Sequence, residues 1–219
     1  MGRSINLLKN YPRAQRNLKK RLLDKSEKVR KVARKFGKDF FDGERKYGYG
    51  GFTYNPKYWS NVVKDFKKYY LLTSKSKILD VGCGKGFMLY DFKKKIKGIK
   101  IKGIDISSYA IKNSHNKVKK NLKVANAKKL PFKDNEFDLV ISINTIHNLN
   151  KKDCMKALME IERVSKKNSF VTVDAYSNQK EKKRMFAWNL TAKTILSKGQ
   201  WINLFKKTGF TGDYFWFVP

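Results

Sequence analysis

Residues 77–106, KILDVGCGKGFMLYDFKKKIKGIKIKGIDI, constrain this chain more than any other stretch. Ile78–Val81 is a short apolar run that enters the turn Gly82-Cys83-Gly84-Lys85-Gly86, and Phe87–Phe92 then has helical character. A second strand-like run, Ile99–Ile104, ends at Asp105. That acid stands ~20 residues beyond the last glycine, the distance at which a carboxylate meets a bound ribose in a nucleotide-binding βαβ unit. The pattern predicts strand, turn, helix and strand, with a nucleoside as ligand.

The turn narrows the ligand. A dinucleotide fingerprint spaces its glycines G-x-G-x-x-G so that backbone approaches a pyrophosphate at a helix N-terminus. Here the spacing is G-x-G-x-G with Asp80 just ahead. A carboxylate there suits an ammonium and opposes a diphosphate. The arrangement resembles the first motif of class I S-adenosylmethionine-dependent methyltransferases, and a structural glycine turn in another α/β protein is the alternative. The resemblance implies S-adenosylmethionine as cofactor, with Asp80, Gly82, Gly84 and Gly86 at its methionine half, Asp105 at its ribose and Ile106 among the binding residues.

Val124-Ala125-Asn126-Ala127, Leu130-Pro131-Phe132 and Phe137-Asp138-Leu139-Val140-Ile141-Ser142 resemble the third and fourth motifs of that family, in its small-molecule, methyltransferase type 11-like branch. The resemblance brings Asn126, Ala127 and Asn144 into the cofactor set. Family members usually carry Asp at the place of Asn126, where the residue meets the adenine amine; Asn keeps an acceptor oxygen with less charge assistance. Matching motifs run from about residue 76 to 174, and the Tyr-Gly-Tyr-Gly-Gly stretch before them reads like the opening of a subfamily.

The 219 residues, 41% of them hydrophobic, suit one α/β domain with an N-terminal extension. No apolar stretch approaches ~20 residues, so no membrane span is expected, and the basic N-terminus lacks the apolar core of a signal peptide. Cys83 and Cys154 offer neither a disulfide framework nor a metal quartet, which makes the cytoplasm the expected compartment. The net charge of +33 suggests a polyanion. Two features oppose that: the basic residues are overwhelmingly Lys, whereas bidentate recognition favours Arg, and they are spread over the whole chain, as AT-rich coding would produce.

Three parts are expected. Residues 1–46 form a basic helical extension, with Leu18, Leu22, Val29, Ala33, Phe36 and Phe40 at roughly helical spacing. Residues 47–75 hold the glycine-aromatic run Tyr47–Tyr54, which reads equally as a lid or as a packed loop, and a helix over Tyr58–Tyr70. Residues 76–219 alternate strands (near 77–81, 100–104, 121–125, 137–143 and 169–174) with helices (near 86–95, 108–118, 152–165 and 199–207). That alternation predicts a doubly wound, mostly parallel sheet, the Rossmann-like methyltransferase fold. Asp80, Asp105, Asn126, Asn144 and Asp174 all fall at strand ends and should converge on one crevice.

The carboxyl end departs from the family's usual two-stranded hairpin, because Tyr214–Val218 leaves room for one strand; either a strand is missing or the sheet ends differently. The long connection before it carries Arg184, Phe186, Trp188, Asn189 and Thr191, which suit a substrate wall or an amphipathic helix with Trp188 in the core. His147 lies in the loop that borders the transferable methyl in this family and is a candidate general base, with a loop-capping histidine as the alternative. Asp174 and Tyr49 stand next as bases, and His115 is expected on an exposed helix face. Asn144-Thr145-Ile146-His147 is not the Asn/Asp-Pro-Pro-aromatic tetrad of amino-methyltransferases acting on bases, no cysteine stands in that loop, and no paired-glutamate loop is present. No metal site is expected. The leading expectation is methyl transfer to O or N of a small-molecule acceptor; the alternative is an RNA methyltransferase or a catalytically silent RNA-binding module.

Overall fold

The computed structural model describes residues 2–12 and 25–218. Leu18 and Leu22 lie outside the described residues. Two short helices, α1 (Glu27–Ala33) and α2 (Lys38–Asp42), precede α3 (Pro56–Tyr69). Asn55 starts α3 by accepting the Lys57 N–H on its side-chain oxygen, and Pro56 supplies a pre-set φ at the first helical position. Val62, Val63 and Phe66 then bury one face.

The sheet follows from strands apolar on both faces. Strands β1 (Lys77–Val81), β2 (Lys100–Asp105), β3 (Leu122–Val124), β4 (Phe137–Ile143) and β5 (Ser165–Tyr176) take the order β3-β2-β1-β4-β5, and every pairing is parallel. Leu79 and Val81 face a core shared with Leu158, Ile161, Trp201 and Phe205. Ile78 and Ile141 face the other, with Val62, Phe66 and Phe92. Helices α4 (Phe87–Lys95) and α5 (Ser108–Lys112) follow β1 and β2, and α6 (Lys151–Val164) runs from β4 to β5. The order reverses beside β1, so the crevice opens between β1 and β4 at their carboxyl ends. The doubly wound α/β expectation holds.

Three differences have physical reasons. Helix α5 stops at Lys112 instead of near 118: Asn113 bonds back to its last carbonyls, and His115 leaves the helix to stack on Tyr90 at 3.7 Å, half-buried and not exposed. The connection after Asp174 contains α7 (Gln179–Trp188), capped by Asn178, and its Trp188 is half-buried against Phe217 at 5.9 Å, outside the core. In the N-terminal extension α1 ends at Ala33, Phe36 takes a left-handed φ of 50°, and α2 restarts at Lys38. The helical phase is thereby reset, and Phe41 is buried where the spacing pointed to Phe40.

The sheet also ends differently. After β6 (Leu196–Ser197) and α8 (Lys198–Thr208), β7 (Asp213–Phe217) pairs in parallel with β5. Its outer edge is met by the amino-terminal residues: Ser4 bridges Tyr214, whose N–H donates to the Arg3 carbonyl and whose carbonyl accepts the Ile5 N–H. The chain covers its own sheet edge, which otherwise offers unpaired backbone groups.

Candidate active site

At the carboxyl end of β1, Gly82, Gly84 and Gly86 all have positive φ, 89°, 53° and 76°. Gly82 is needed for space as well as conformation, since a Cβ there would lie 2.1 Å from Thr145 Oγ1 in the loop after β4. The turn is thus pressed against the segment that carries Asn144 and His147.

Asp80 enters this turn at 6% exposure, and no described group donates a hydrogen bond to its carboxylate. Burial, together with the nearby Asp105 charge, pushes its carboxyl up to about 7. Asp105 bridges two turns: its Oδ2 accepts the Gly84 N–H and its Oδ1 the Ser107 N–H, each at 2.8 Å. Burial raises its carboxyl and these backbone donors oppose the rise. Each oxygen keeps a lone pair for a further donor. Ile106 and Val124, at the ends of β2 and β3, are 55% and 49% exposed, unusual for branched apolar residues beside a sheet. Asn126 Oδ1 accepts the Lys128 N–H, and Ala127 packs on the core. Asn144, at φ 50°, accepts the Thr172 hydroxyl on Oδ1, which ties it to β5.

These residues fit S-adenosylmethionine chemically. Asp80 is a buried carboxylate that lacks a donor, the complement of an ammonium. Asp105 has acceptor capacity for vicinal hydroxyls, and Ile106 with Val124 offers apolar surface to a planar base.

His147 and Asp174 meet further along. His147 is buried in a 3₁₀ turn over Ile146–Asn148, where its Nδ1 accepts the Asp174 backbone N–H at 3.0 Å. Burial holds the imidazole below its usual range, so it is neutral with its proton on Nε2. The Asp174 carboxylate lies 3.9 Å from that ring, nine-tenths buried and without a hydrogen-bond donor among the described residues; burial raises its carboxyl. Trp201 Nε1 donates to the Asp174 carbonyl at 2.9 Å, so the backbone on both sides of this acid is fixed. Among the described residues, Tyr49 packs its ring on Phe40, Phe41 and Phe52 of the N-terminal segment.

That segment supplies site residues that sequence reasoning missed. Lys85, inside the glycine turn, is 6% exposed and donates to both oxygens of Asp42 at 2.7 Å and to the Phe52 carbonyl at 2.9 Å. Phe41 and Phe52 reach to 3.5 Å of where a Gly84 Cβ would stand. A separate groove of about 700 Å³ lies at the opposite end of the sheet, lined by Lys75, Lys77, Lys133, Lys166 and Lys167 among others.

Residues 79–173 match the family described as a methyltransferase domain. Those residues belong to the class I S-adenosylmethionine-dependent methyltransferase superfamily. The chain is similar to norajmaline N-methyltransferase of Rauvolfia serpentina, 30% identical over 47% of this chain and 36% of that protein. It is also similar to the mitochondrial arginine-hydroxylase NDUFAF5 of Mus musculus, 38% identical over 40% of this chain and 25% of that protein. The fold is shared with a structure titled as a SAM-dependent methyltransferase from Methanosarcina mazei, with TM-score 0.52 and 21% identity over 65% of this chain and 82% of that one. The chain spans 25–36% of these two relatives' lengths. The matched stretch covers most of β1 and β5, all of β2 to β4 and the glycine turn, whereas the N-terminal segment and everything after Val173 lie outside it. No helix among the described residues is long and apolar enough to cross a membrane.

Proposed function

We propose that this chain binds S-adenosylmethionine and transfers its methyl group to an O or N atom of a small-molecule acceptor. The observation that carries the reading is Asp80: a carboxylate taken out of water with no donor is costly unless a ligand supplies one. In this reading Asp80 meets the cofactor ammonium, with Gly82, Gly84 and Gly86 along the methionine half and Asp105 at the ribose hydroxyls. Ile106, Asn126, Ala127 and Asn144 border the base and the reacting end. When bound, the cofactor supplies an electrophilic methyl for in-line displacement; the protein has to align the acceptor and take its proton.

For the proton we favour the Asp174 carboxylate. His147 holds its one available lone pair in the bond from the Asp174 N–H, which suits it to fixing the position of Asp174. Tyr49, next in order, stacks within the roof over the glycine turn. The similarity to an N-methyltransferase supports nitrogen as one possible acceptor atom, and the arginine-hydroxylase similarity keeps the acceptor class broad. The RNA reading has less support, because the lysine-lined groove lies at the far end of the sheet from the crevice. Two free, buried cysteines suit a cytoplasmic location.

Calorimetry with S-adenosylhomocysteine tests the cofactor assignment. Losing a charge-assisted hydrogen-bond partner costs ~1.5–3 kcal/mol, so Asp105→Ala should bind at least about tenfold more weakly than wild type. Wild-type affinity in a folded Asp105→Ala protein would defeat the assignment.

A further inference from the structure

The glycine turn is roofed. Residues 36–54 cross above it, fixed at one end where Ser107 Oγ donates to the Phe36 carbonyl at 2.5 Å and at the other where the Tyr54 hydroxyl donates to Asp91 at 2.8 Å. Between these anchors the backbone passes Gly43, Gly48, Gly50 and Gly51, the last two at φ 71° and 97°. One acid holds the middle. Asp42 accepts from Lys85 Nζ at 2.7 Å, from the Tyr109 hydroxyl at 2.7 Å and from the Phe52 N–H at 3.0 Å. It therefore joins the roof to both cofactor turns, Lys85 standing after β1 and Tyr109 after β2.

Beneath this roof Asp80 and Asp105 are almost wholly buried although they sit at the mouth of the crevice. Phe41 and Phe52 stand over Gly84, whose N–H donates to Asp105, so the roof lies directly against the turn that carries these acids. Opening the ion pair rehydrates both of its charges, so its net contribution is far below its Coulomb energy, and a latch of this kind releases without unfolding the domain.

We propose that Asp42 is a positioning residue that latches residues 36–54 over the cofactor turns, so that cofactor exchange waits on its release. The proposal rests on the cofactor reading above and adds a function for the N-terminal segment, which lies outside the matched methyltransferase stretch.

The test measures association and dissociation rates of S-adenosylhomocysteine together with amide hydrogen exchange over residues 36–54, using the full chain. In Asp42→Ala both rates should rise, dissociation by about tenfold, the size expected for losing a charge-assisted partner. Exchange over 36–54 should quicken while the strands of the sheet keep wild-type protection. Asp42→Glu, which retains the charge, should recover most of the wild-type rates. A distorted site would instead slow association, and that result would overturn the latch, as would unchanged rates in a folded variant. If Asp42→Ala does not fold, Tyr109→Phe removes one donor to Asp42, leaves the ion pair and should shift both rates in the same direction by less; unchanged rates there would also overturn it. If wild type binds no S-adenosylhomocysteine, the cofactor reading fails, and exchange over 36–54 still judges the latch alone.

Discussion

At the scale of single residues, the two acids beside the glycine turn, Asp80 and Asp105, are held against their own chemistry. Asp80 keeps its proton up to about pH 7 because burial and Asp105 both oppose its charge. The unfolded chain releases that proton near the ordinary ~3.9. The folded state therefore binds protons more tightly across this window, and stability of the unliganded protein should fall as pH rises from about 4 to about 7, by a few kcal/mol. Binding of an ammonium needs the charged carboxylate, so cofactor affinity should climb over the same range. Urea unfolding at about pH 5 and about pH 8 checks the sign: wild type loses stability at the higher pH, and Asp80→Asn shows a smaller loss, the remainder coming from the other shifted groups, Asp105 and Asp174 among them. Parallel wild-type and Asp80→Asn responses would mean that Asp80 is not the group that titrates.

Among the elements, the 3₁₀ turn after β4 fixes the backbone around Asp174. His147 ties three segments: its ring accepts from Asp174 on β5, and its carbonyl accepts from the Lys193 and Thr194 N–H groups ahead of β6. Removing the ring leaves the buried Asp174 N–H without a partner, which costs about 1–3 kcal/mol. The kinetics separate this role from that of a base. If Asp174 accepts the proton, Asp174→Asn should lower kcat by ~10²–10⁴-fold and lose the limb that rises with pH, because a general base contributes about that much. His147→Ala should lower thermal stability and kcat more modestly while keeping that limb. A His147→Ala enzyme that loses the limb would return the base to His147.

For the whole molecule, charge is the dominant property, and most of it is spread over the surface. Lys and Arg number 51 against 18 acids. RNA binding should be weak and indiscriminate, and it should fall steeply as salt rises from about 50 to about 200 mM, since counterion release dominates such contacts. Filter binding checks this; tight binding of one RNA at physiological salt would favour the RNA reading. The same composition hid the latch. Lys85 and Asp42 are 43 residues apart, and in a chain this rich in lysine no local pattern distinguishes this buried ammonium from the solvated ones.

What the sequence determined by itself is local. Strand β1 with its glycine turn, the 3.6-residue spacing of α3 and α6, and the carboxylates closing β1 and β2 are set by neighbours a few residues away, where apolar periodicity and glycine's left-handed backbone act directly. The helix over α7 and the early end of α5 were less legible, because Asn caps and the Tyr90–His115 stack outweigh a weak periodicity. Only the tertiary structure decided that β7 lies parallel to β5 with the amino-terminal residues on its edge, that His147 spends its lone pair on Asp174, and that Asp42 meets Lys85 above the glycine turn. Each of these joins residues far apart in the chain. Their energy comes from burying polar groups that must then find partners, a condition that exists only once the chain has closed.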